Sequence, residues 1–454
     1  MRFRLLTVFL TGLVALAVAA WGYNQYTLRR DVETDLNNRY QRAFYDLLTG
    51  TQNLEVLLGK SLVVGGREQS SAIFASIWQE AMAAQANLGQ LPVSTQFTER
   101  TAKFLTQAAD YANTILRRAG TGSPVDREHW ERLNQLYNQA AVLNRELFKV
   151  EARVAANGAR FWEIPRVIAA KGGIAQMSLP RAHSDFRAIN REMQTYPTLI
   201  YDGPFSDHLE RKEPLGLTGA TVSSATARNR ALSFIDRVPG TSYTARVAGT
   251  VKGRIPAYRV DITGRRSGAD EKATFLISRK GGHPVLLLVD RDIGGRRIDM
   301  AEAQRRAEDF LKRLGHRGMR LTYRIRQNGT ATFNFAGEEQ GAIIYPDLVK
   351  VTVALDNGRV IGMDAAGYLM AHHRRGTFKP ALTLEQARSF ISPHLKVDRA
   401  RLAVIPTDAG QEKLTYEFRG TTGPNTFLVY IDAVNGEEAK ILKLIGTPAG
   451  TLVM

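Results

Sequence analysis

Cysteine is absent from this chain of 454 residues. Disulfide bonds, thiolate nucleophiles and sulfur-ligated metal sites are therefore impossible. The HExxH helix, the phosphate-binding glycine loop, the dinucleotide-binding fingerprint and the Gly-x-Ser-x-Gly nucleophile elbow are missing as well. These absences argue against the enzyme classes that use those motifs, and we expect no cofactor.

Histidines and paired acids are few, and none of them predicts an active site. Only His372 and His373 are adjacent among the eight histidines, and adjacent side chains point in different directions, so we expect no metal site. Asp207-His208 is an acid–histidine pair without a serine motif. Two glutamate pairs in glycine-flanked turns indicate solvated charges and not glycosidase carboxylates: Glu338-Glu339 and Glu437-Glu438. No catalytic residue is predicted.

Acidic residues are scarce relative to basic ones, with 44 Asp and Glu against 61 Lys and Arg, for a net charge of +17. The excess lies in residues 220–454, which carry 36 basic and 23 acidic residues. Such a surface favours anionic neighbours, such as lipid head groups, a cell-wall polymer or an acidic face of a partner. A recognition helix, zinc-finger spacing and an aromatic RNA-binding motif are all missing, so nucleic acid is not an expected partner.

Long apolar runs are also scarce, and the clearest one lies at the N-terminus. Leu5–Trp21 is a stretch of seventeen residues without a charge. This length is at the short end for a bilayer span, and Ala17-Val-Ala19 offers the alternative of a signal-peptidase site. Because the helical pattern continues beyond the run, we predict that residues 1–23 form an uncleaved anchor and not a removed signal peptide. The N-terminus is then expected inside and the body outside.

Residues 24–195 have the pattern of an antiparallel helical bundle. Apolar residues recur every three or four positions near 26–58, 72–88 and 94–119. After the helix-start signal Ser123-Pro124 a seven-residue repeat predicts a coiled-coil-like seam, formed by Leu133, Leu136, Ala140, Leu143, Leu147, Val150 and Val154. We expect this seam to pack within the bundle, with an intermolecular coiled coil as the alternative.

Residues 220–454 contain a repeat. Three similar helix starts are separated by 76 and 84 residues: Ser223–Ala227, Asp299–Ala303 and Thr383–Ala387. The second and third starts place Glu302 and Gln386 where a capping box requires an acid or amide.

Each predicted helix is followed by strands that flank a tight turn. The turns are Gly281-Gly282, Asp356-Asn-Gly358 and Asn435-Gly436. The sequence therefore predicts an α+β multidomain chain whose second half holds three units, 220–297, 298–376 and 377–454. Each unit is expected to pack one helix on an antiparallel sheet.

A distinct stretch, residues 196–219, separates the helical half from the repeats. Three prolines and three glycines exclude a regular helix, yet the stretch carries more apolar surface than a solvated linker. We predict an ordered junction between domains, with the alternative that it also contacts a partner. The candidate contact residues are Tyr201, Phe205 and His208.

The repeat resembles the PepSY domain, whose helix often opens with a Thr/Ser-x-x-Glu/Gln-Ala run and whose last strands flank an Asp-x-x-x-Gly or Asn-Gly turn. PepSY units occur as inhibitory propeptides of secreted metalloproteases and in membrane-attached regulators. The first unit departs from the pattern, because Thr226 stands where the others have Glu302 and Gln386. With the anchor, the helical part, the junction and three such units in this order, the whole chain resembles the YpeB family of spore-germination proteins.

This resemblance implies a non-catalytic accessory protein of endospore-forming bacteria at the outer face of the spore inner membrane. Its implied partner is the cortex-lytic hydrolase SleB, and the two proteins are implied to depend on each other for retention in the dormant spore. Two other hypotheses stay open. The repeats alone are compatible with a PepSY-type inhibitor of a secreted metalloprotease, and export with a basic surface is compatible with a wall hydrolase.

Overall fold

The computed structural model describes residues 2–91, 95–119, 127–156, 213–266, 269–407, 411–447 and 450–453. The chain forms two compact units. The first comprises Met1–Leu62 with Ser70–Tyr196, and the second comprises Val63–Gln69 with Pro197–Met454.

The first unit is a helical bundle, as predicted. Its described helices are α1 (Arg2–Ser61), α2 (Arg67–Leu88), α3 (Thr95–Ala119) and α4 (Arg127–Ala156). The predicted helix start at Ser123-Pro124 lies outside the described residues.

Most of the predicted seam of α4 is buried inside this bundle. Five of its side chains are at most 3% exposed: Leu133, Leu136, Ala140, Leu147 and Val150. Asn144 is buried beside them and donates hydrogen bonds to the Thr51 carbonyl at 3.0 Å and to Glu55 Oε2 at 2.7 Å, both on α1. A buried amide in an apolar seam fixes the register of two helices, because any slip leaves it unpaired.

The predicted anchor, residues 1–23, falls in the first part of α1, where most side chains lie outside the described part of the chain. None of the helices that the structure describes combines the length and the apolar character that a membrane span needs.

The second unit contains the repeats, and the first repeat has one helix and four strands. These are α5 (Ser224–Phe234), β1 (Ser242–Val251), β2 (Ala257–Arg266), β3 (Ala269–Ser278) and β4 (Pro284–Asp290).

The second repeat begins with α6 (Met300–Arg313) and continues through β5 (Met319–Gln327), β6 (Thr330–Glu339), β7 (Ala342–Ala354), β8 (Val360–Asp364) and the short α7 (Ala366–Ala371). The third has α8 (Leu384–Arg388), β9 (Lys396–Pro406), β10 (Glu412–Thr422), β11 (Asn425–Asp432), β12 (Glu438–Thr447) and β13 (Gly450–Val453). The three predicted hairpin turns connect β3 to β4, β7 to β8 and β11 to β12.

The three predicted caps are present, but only one is a complete capping box. Ser223 and Asp299 accept hydrogen bonds from the backbone three residues later, and Thr383 and Gln386 bond reciprocally. The predicted box at Glu302 is incomplete because its carboxylate instead pairs with Arg305 and Arg306, one turn further along the helix. An ion pair at this spacing competes with the bond back to the N-cap.

The sequence pattern suggested a separate sheet for each repeat, but the three repeats share one sheet. All thirteen described strands join one mixed sheet, in the order β1-β2-β3-β4-β8-β7-β6-β5-β13-β12-β11-β10-β9. The strand β9 also pairs in parallel with β7, through Ile343 with Ala403 and Ile344 with Val404. Eight strands of the second and third repeats therefore form a closed ring of backbone pairings, in the order β7-β6-β5-β13-β12-β11-β10-β9 and back to β7.

The main core lies under α5 and α6, on one face of the sheet shared by the first two repeats. Its largest fully buried side chains are Phe275, Phe310, Phe333 and Phe335. Burying a side chain of this size contributes about 1.5–3 kcal/mol, so the two helices fix the sheet beneath them.

Candidate functional site between the second and third repeats

A bulge in β7 organises the boundary between the second and third repeats. Opposite β6, Ile344 pairs with Gly337 and Leu348 pairs with Ala336, so Tyr345-Pro346-Asp347 has no partner in the β6 ladder. This position tolerates Pro346 because a bulged residue has no ladder hydrogen bond to donate. Bulges redirect side chains, and this one presents Tyr345 and Asp347 to residues of the third repeat and of the segment before it.

Asp347 is the first of these two anchors. Arg375 lies in the segment after α7 and donates from Nη2 to Asp347 Oδ1 at 2.9 Å and from Nη1 to Oδ2 at 3.0 Å. The same guanidinium donates to Glu412 at the start of β10, at 2.8 and 2.6 Å. The side chains of Arg375 and Asp347 are 4% and 3% exposed, so this is a buried ion pair with doubled hydrogen bonds.

The pKa of Arg375 shows which effect prevails in this cluster. Burial by itself lowers that pKa, but the hydrogen bonds that Arg375 donates to Glu412 and Asp347 outweigh it and raise the pKa above its ordinary value. Arg375 is therefore permanently charged, and removing it would take both guanidinium hydrogen bonds from the buried Asp347 carboxylate.

Tyr345 is the second anchor, and it leads to a buried carboxylate in the third repeat. Tyr345 donates its hydroxyl hydrogen to Glu417 Oε2, and Tyr430 donates to the same oxygen at 3.0 Å. Arg401 donates to Glu417 Oε1 at 2.8 Å and to the Tyr345 hydroxyl at 3.0 Å. The Glu417 side chain is 1% exposed.

Both phenols of this network are held in the protonated form. Burial and then the charge of Glu417 raise the pKa of Tyr345 and of Tyr430 above the ordinary value. Each phenol is consequently a hydrogen-bond donor to the carboxylate at any physiological pH. The network supplies directional bonds between β7, β9, β10 and β11, which apolar contacts alone do not provide.

Two histidines flank the Asp347 cluster. His372 Nδ1 lies 2.6 Å from Asp347 Oδ2, and its ring stacks on Tyr368 at 4.3 Å between ring centroids. His316 meets the same tyrosine edge-on at 4.6 Å. Burial, followed by the nearby charges of His283 and His372, lowers the pKa of His316 to about 4. His316 is thus neutral near pH 7 and can pack against an aromatic ring.

His372 and His373 make different hydrogen bonds but border the same cluster, since His373 Nε2 lies 3.9 Å from Glu412 Oε2. His372 contacts Asp347, whereas His373 donates from Nδ1 to the Ala371 carbonyl at 2.8 Å. Within the described ranges, no three histidine and acidic side chains are arranged to hold a metal ion.

The prediction that Glu438 is a solvated charge is wrong. Glu438 is 5% exposed, and its Oε2 accepts a hydrogen bond from the Gly65 amide at 3.0 Å, within the second compact unit. Burial raises the pKa of Glu438 to about 7, against the opposing effect of the Gly65 and Gly66 amides. Both glycines are required here, because a Cβ would lie 2.7 Å from the Phe390 carbonyl or 2.6 Å from the Glu438 Cβ.

An ion pair of the same kind joins the first and second repeats. Arg359 follows the β7–β8 turn, bonds both carboxylate oxygens of Glu271 on β3 and donates to the Asp236 carbonyl at 2.6 Å. The side chains of Arg359 and Glu271 are 12% and 13% exposed. Buried guanidinium–carboxylate ion pairs, here called clamps, thus join each boundary between repeats.

The residues predicted to contact a partner, Tyr201, Phe205 and His208, lie outside the described residues. The clamp residues Asp347, Arg375 and Glu417 were not predicted, because charged residues scattered through strands resemble ordinary surface positions. One available signal was Pro346, since proline within an alternating strand pattern indicates a bulge or an edge.

Comparisons with known proteins match both halves of the chain. A family model described as the YpeB N-terminal domain matches residues 28–163. Another, described as YpeB sporulation, PepSY1 and PepSY2 domains, matches residues 182–378.

Curated relatives extend over nearly the whole length. The chain is 28% identical to the sporulation protein YpeB of Bacillus subtilis over 441 residues, covering 95% of this chain and 96% of that protein. It is also 28% identical to the sporulation protein YpeB of Halalkalibacterium halodurans over 445 residues, with 95% and 96% covered. The solved C-terminal domain of Bacillus megaterium YpeB is 32% identical, with 50% of this chain and 100% of that chain covered and a TM-score of 0.45.

Proposed function

The chain belongs to the YpeB family of sporulation proteins, and we propose that it is a non-enzymatic spore protein that binds, stabilises and restrains the cortex-lytic hydrolase SleB. Through that partner it would be needed for breakdown of cortex peptidoglycan during germination. It would be a single-pass protein of the spore inner membrane, with the N-terminus inside and the body on the cortex side.

The observation that carries this proposal is the full-length similarity to sporulation proteins named YpeB, which spans the helical part and the repeats together. A second support is the nature of the clamps. Asp347, Glu412 and Glu417 all have carboxylate oxygens occupied by guanidinium or phenol donors of the same chain. Such groups favour a fixed binding platform over acid–base catalysis.

The basic repeats suggest how the protein would be held near the polymer that the hydrolase acts on. Residues 220–454 carry 36 basic against 23 acidic residues, which favours contact with an anionic cell-wall polymer. Contacts between exposed charges are screened over about 8–10 Å near physiological ionic strength. Binding of the purified protein to cortex fragments should therefore weaken when the salt concentration is raised from roughly 50 to 500 mM, because added salt shortens the screening length.

Crosslinking in dormant spores tests the proposal directly. We expect the hydrolase to co-purify with this protein, and deletion of either gene to lower the amount of the other protein. Purified protein should leave cortex peptidoglycan undigested. Absence of co-purification, together with unchanged levels in both deletions, would rule the proposal out.

Substitution in the junction tests the contact residues. The triple variant Tyr201→Ala, Phe205→Ala, His208→Ala should reduce the amount of co-purified hydrolase, with the exposed Arg374→Ala serving as the control. If the triple variant retains the hydrolase as well as the control does, the partner binds elsewhere on the chain.

A further inference from the structure

The strand β1 has an edge that the described strands leave open. In the sheet order β1 is terminal, whereas the strand at the opposite end, β9, also pairs in parallel with β7 through Ala403 and Val404. The ring of eight strands therefore closes one end of the sheet. Within the described ranges, β1 pairs with β2 along one side and with no strand along the other.

This edge is long and exposed. β1 has ten residues, compared with about five or six in a typical strand, and seven of its residues are exposed. It contains no proline and no lysine, and its single irregularity is the register shift between Val247 and Gly249. A row of backbone N–H and C=O groups along such an edge is a template for an additional strand unless charges, prolines or another element protect it.

The charge around the edge indicates the chemistry of a suitable strand. Residues 242–266 contain six basic side chains and one acidic side chain, Asp261. Asp261 lies opposite Arg246 in the β1–β2 ladder, and its carboxylate is bonded by Arg259 at 3.0 Å. Arg246 and Arg265 are exposed, on β1 and on its neighbour β2. An incoming strand pairs with β1 and would place an acidic side chain opposite Arg246, and opposite charges across paired strands are stabilising.

The same charges disfavour a second copy of this chain as the occupant. Two β1 strands paired antiparallel about their centre would bring Arg246 close to Arg246 of the other copy. Like charges that face each other across a strand pair are destabilising. The charge pattern therefore favours a different protein with an acidic, extended segment.

We propose that β1 is a docking edge to which an extended, acidic segment of a partner protein adds as a further strand. The backbone of β1 supplies the hydrogen bonds, and Arg246 supplies the preference for acidic residues. The hydrolase is the partner in question, and this identification rests on the proposed function. The docking edge itself can be tested without the hydrolase.

The probe is a ten-residue synthetic peptide that alternates valine with glutamate, and the control peptide carries lysine in place of glutamate. Hydrogen exchange of the full-length protein, followed by mass spectrometry, measures protection of residues 242–251. We expect the acidic peptide to slow exchange in this strand and the lysine peptide to have at least tenfold lower affinity.

Charge reversal provides the matched variants. Arg246→Glu should lose at least tenfold in affinity for the acidic peptide and gain affinity for the lysine peptide. Arg326→Glu makes the same charge change at an exposed position of β5, which has strands on both sides, and should leave both affinities unchanged.

Three results would overturn the proposal. The first is equal protection by the two peptides, and the second is protection confined to another segment. The third is slow exchange, in the free protein, of those amides of residues 242–251 that do not bond to β2, because the edge would then already be covered.

Co-purification with the hydrolase separates this inference from the proposed function. If the wild-type protein does not bind the hydrolase, the proposed function fails while the peptide result still decides on the edge. If the hydrolase binds wild type and Arg246→Glu equally, the proposed function survives and β1 is excluded as the hydrolase site. A tenfold loss of affinity for the hydrolase in Arg246→Glu but not in Arg326→Glu supports both the proposed function and the docking edge.

Discussion

Arg375 and Asp347 form a two-bond ion pair, with Nη2 2.9 Å from Oδ1 and Nη1 3.0 Å from Oδ2, in a site where both side chains are almost wholly buried. The two residues are 28 positions apart in the sequence, with Asp347 before α7 and Arg375 after it. Their contact therefore fixes where the chain leaves the second repeat and enters the third. The free energy of such a pair is dominated by what happens when one partner is removed.

Arg375→Ala should destabilise the repeat unit by about 3–5 kcal/mol, because it removes both guanidinium hydrogen bonds from the buried Asp347 carboxylate. Urea unfolding, followed by hydrogen exchange in residues 319–432, measures the change. The exposed neighbour provides the control, and Arg374→Ala should change stability by less than about 0.5 kcal/mol. Equal effects of the two substitutions would contradict the clamp.

Tyr345→Phe should cost about 1–3 kcal/mol, since it removes one donor from the buried Glu417 and an acceptor from Arg401. Tyr323→Phe on β5 serves as a matched control for loss of a half-buried hydroxyl. We expect the same unfolding assay to show a larger loss for Tyr345→Phe. A neutral result at position 345 would mean that the phenol bond has no net effect on stability.

Glu438→Gln should remove a pH dependence of stability. The pKa of Glu438 is raised from its ordinary 4.5 to about 7 in the folded protein. The folded state then binds more protons than the unfolded state between these values, so wild-type stability falls as pH rises from about 4.5 to about 7. Glutamine keeps an acceptor for the Gly65 amide without the buried charge, so the variant should be more stable than wild type at pH 8.

The measurement is urea unfolding at pH values from 4.5 to 8, with Glu437→Gln as the control in the neighbouring exposed residue. The stability of Glu438→Gln should depend on pH differently from that of wild type, whereas Glu437→Gln should follow the wild-type curve. A wild-type protein whose stability does not fall across this range would show that Glu438 titrates near its ordinary pKa.

Thr383→Ala should cost about 1 kcal/mol, because it removes the side-chain half of the capping box at the start of α8. Thr383→Ser preserves the hydroxyl and should be close to neutral. Thermal unfolding of the two variants gives the comparison, and a neutral alanine variant would show that the box does not limit stability.

Local features of the fold were predictable from sequence. Helix starts follow from side chains such as Thr383 that bond the nearby backbone, and hairpins follow from turns such as Asn435-Gly436, which depend on only a few residues. The joining of the repeats was not predictable in this way. The parallel pairing of Ile343 with Ala403 and the β4–β8 pairing depend on long-range geometry, and nothing in the alternation of either strand specifies its neighbour.

The clamps show the same limit. Glu438 looked like a surface charge because it follows an Asn-Gly turn, and its burial depends on Gly65, which is 373 residues away. Asp347 and Arg375 likewise have no special local spacing. The predicted contact residues Tyr201, Phe205 and His208 stay predictions.

Closure of the strand ring also has a kinetic consequence. The last pairing of the ring joins Ile325 of β5 to Gly450 of β13, across more than a hundred intervening residues. Contacts of such long sequence separation form slowly, because the entropy of the intervening chain is lost before the contact is gained. During synthesis, β5 cannot complete this pairing until almost all of the remaining chain has been made. In that interval it is an unprotected strand edge at risk of aggregation.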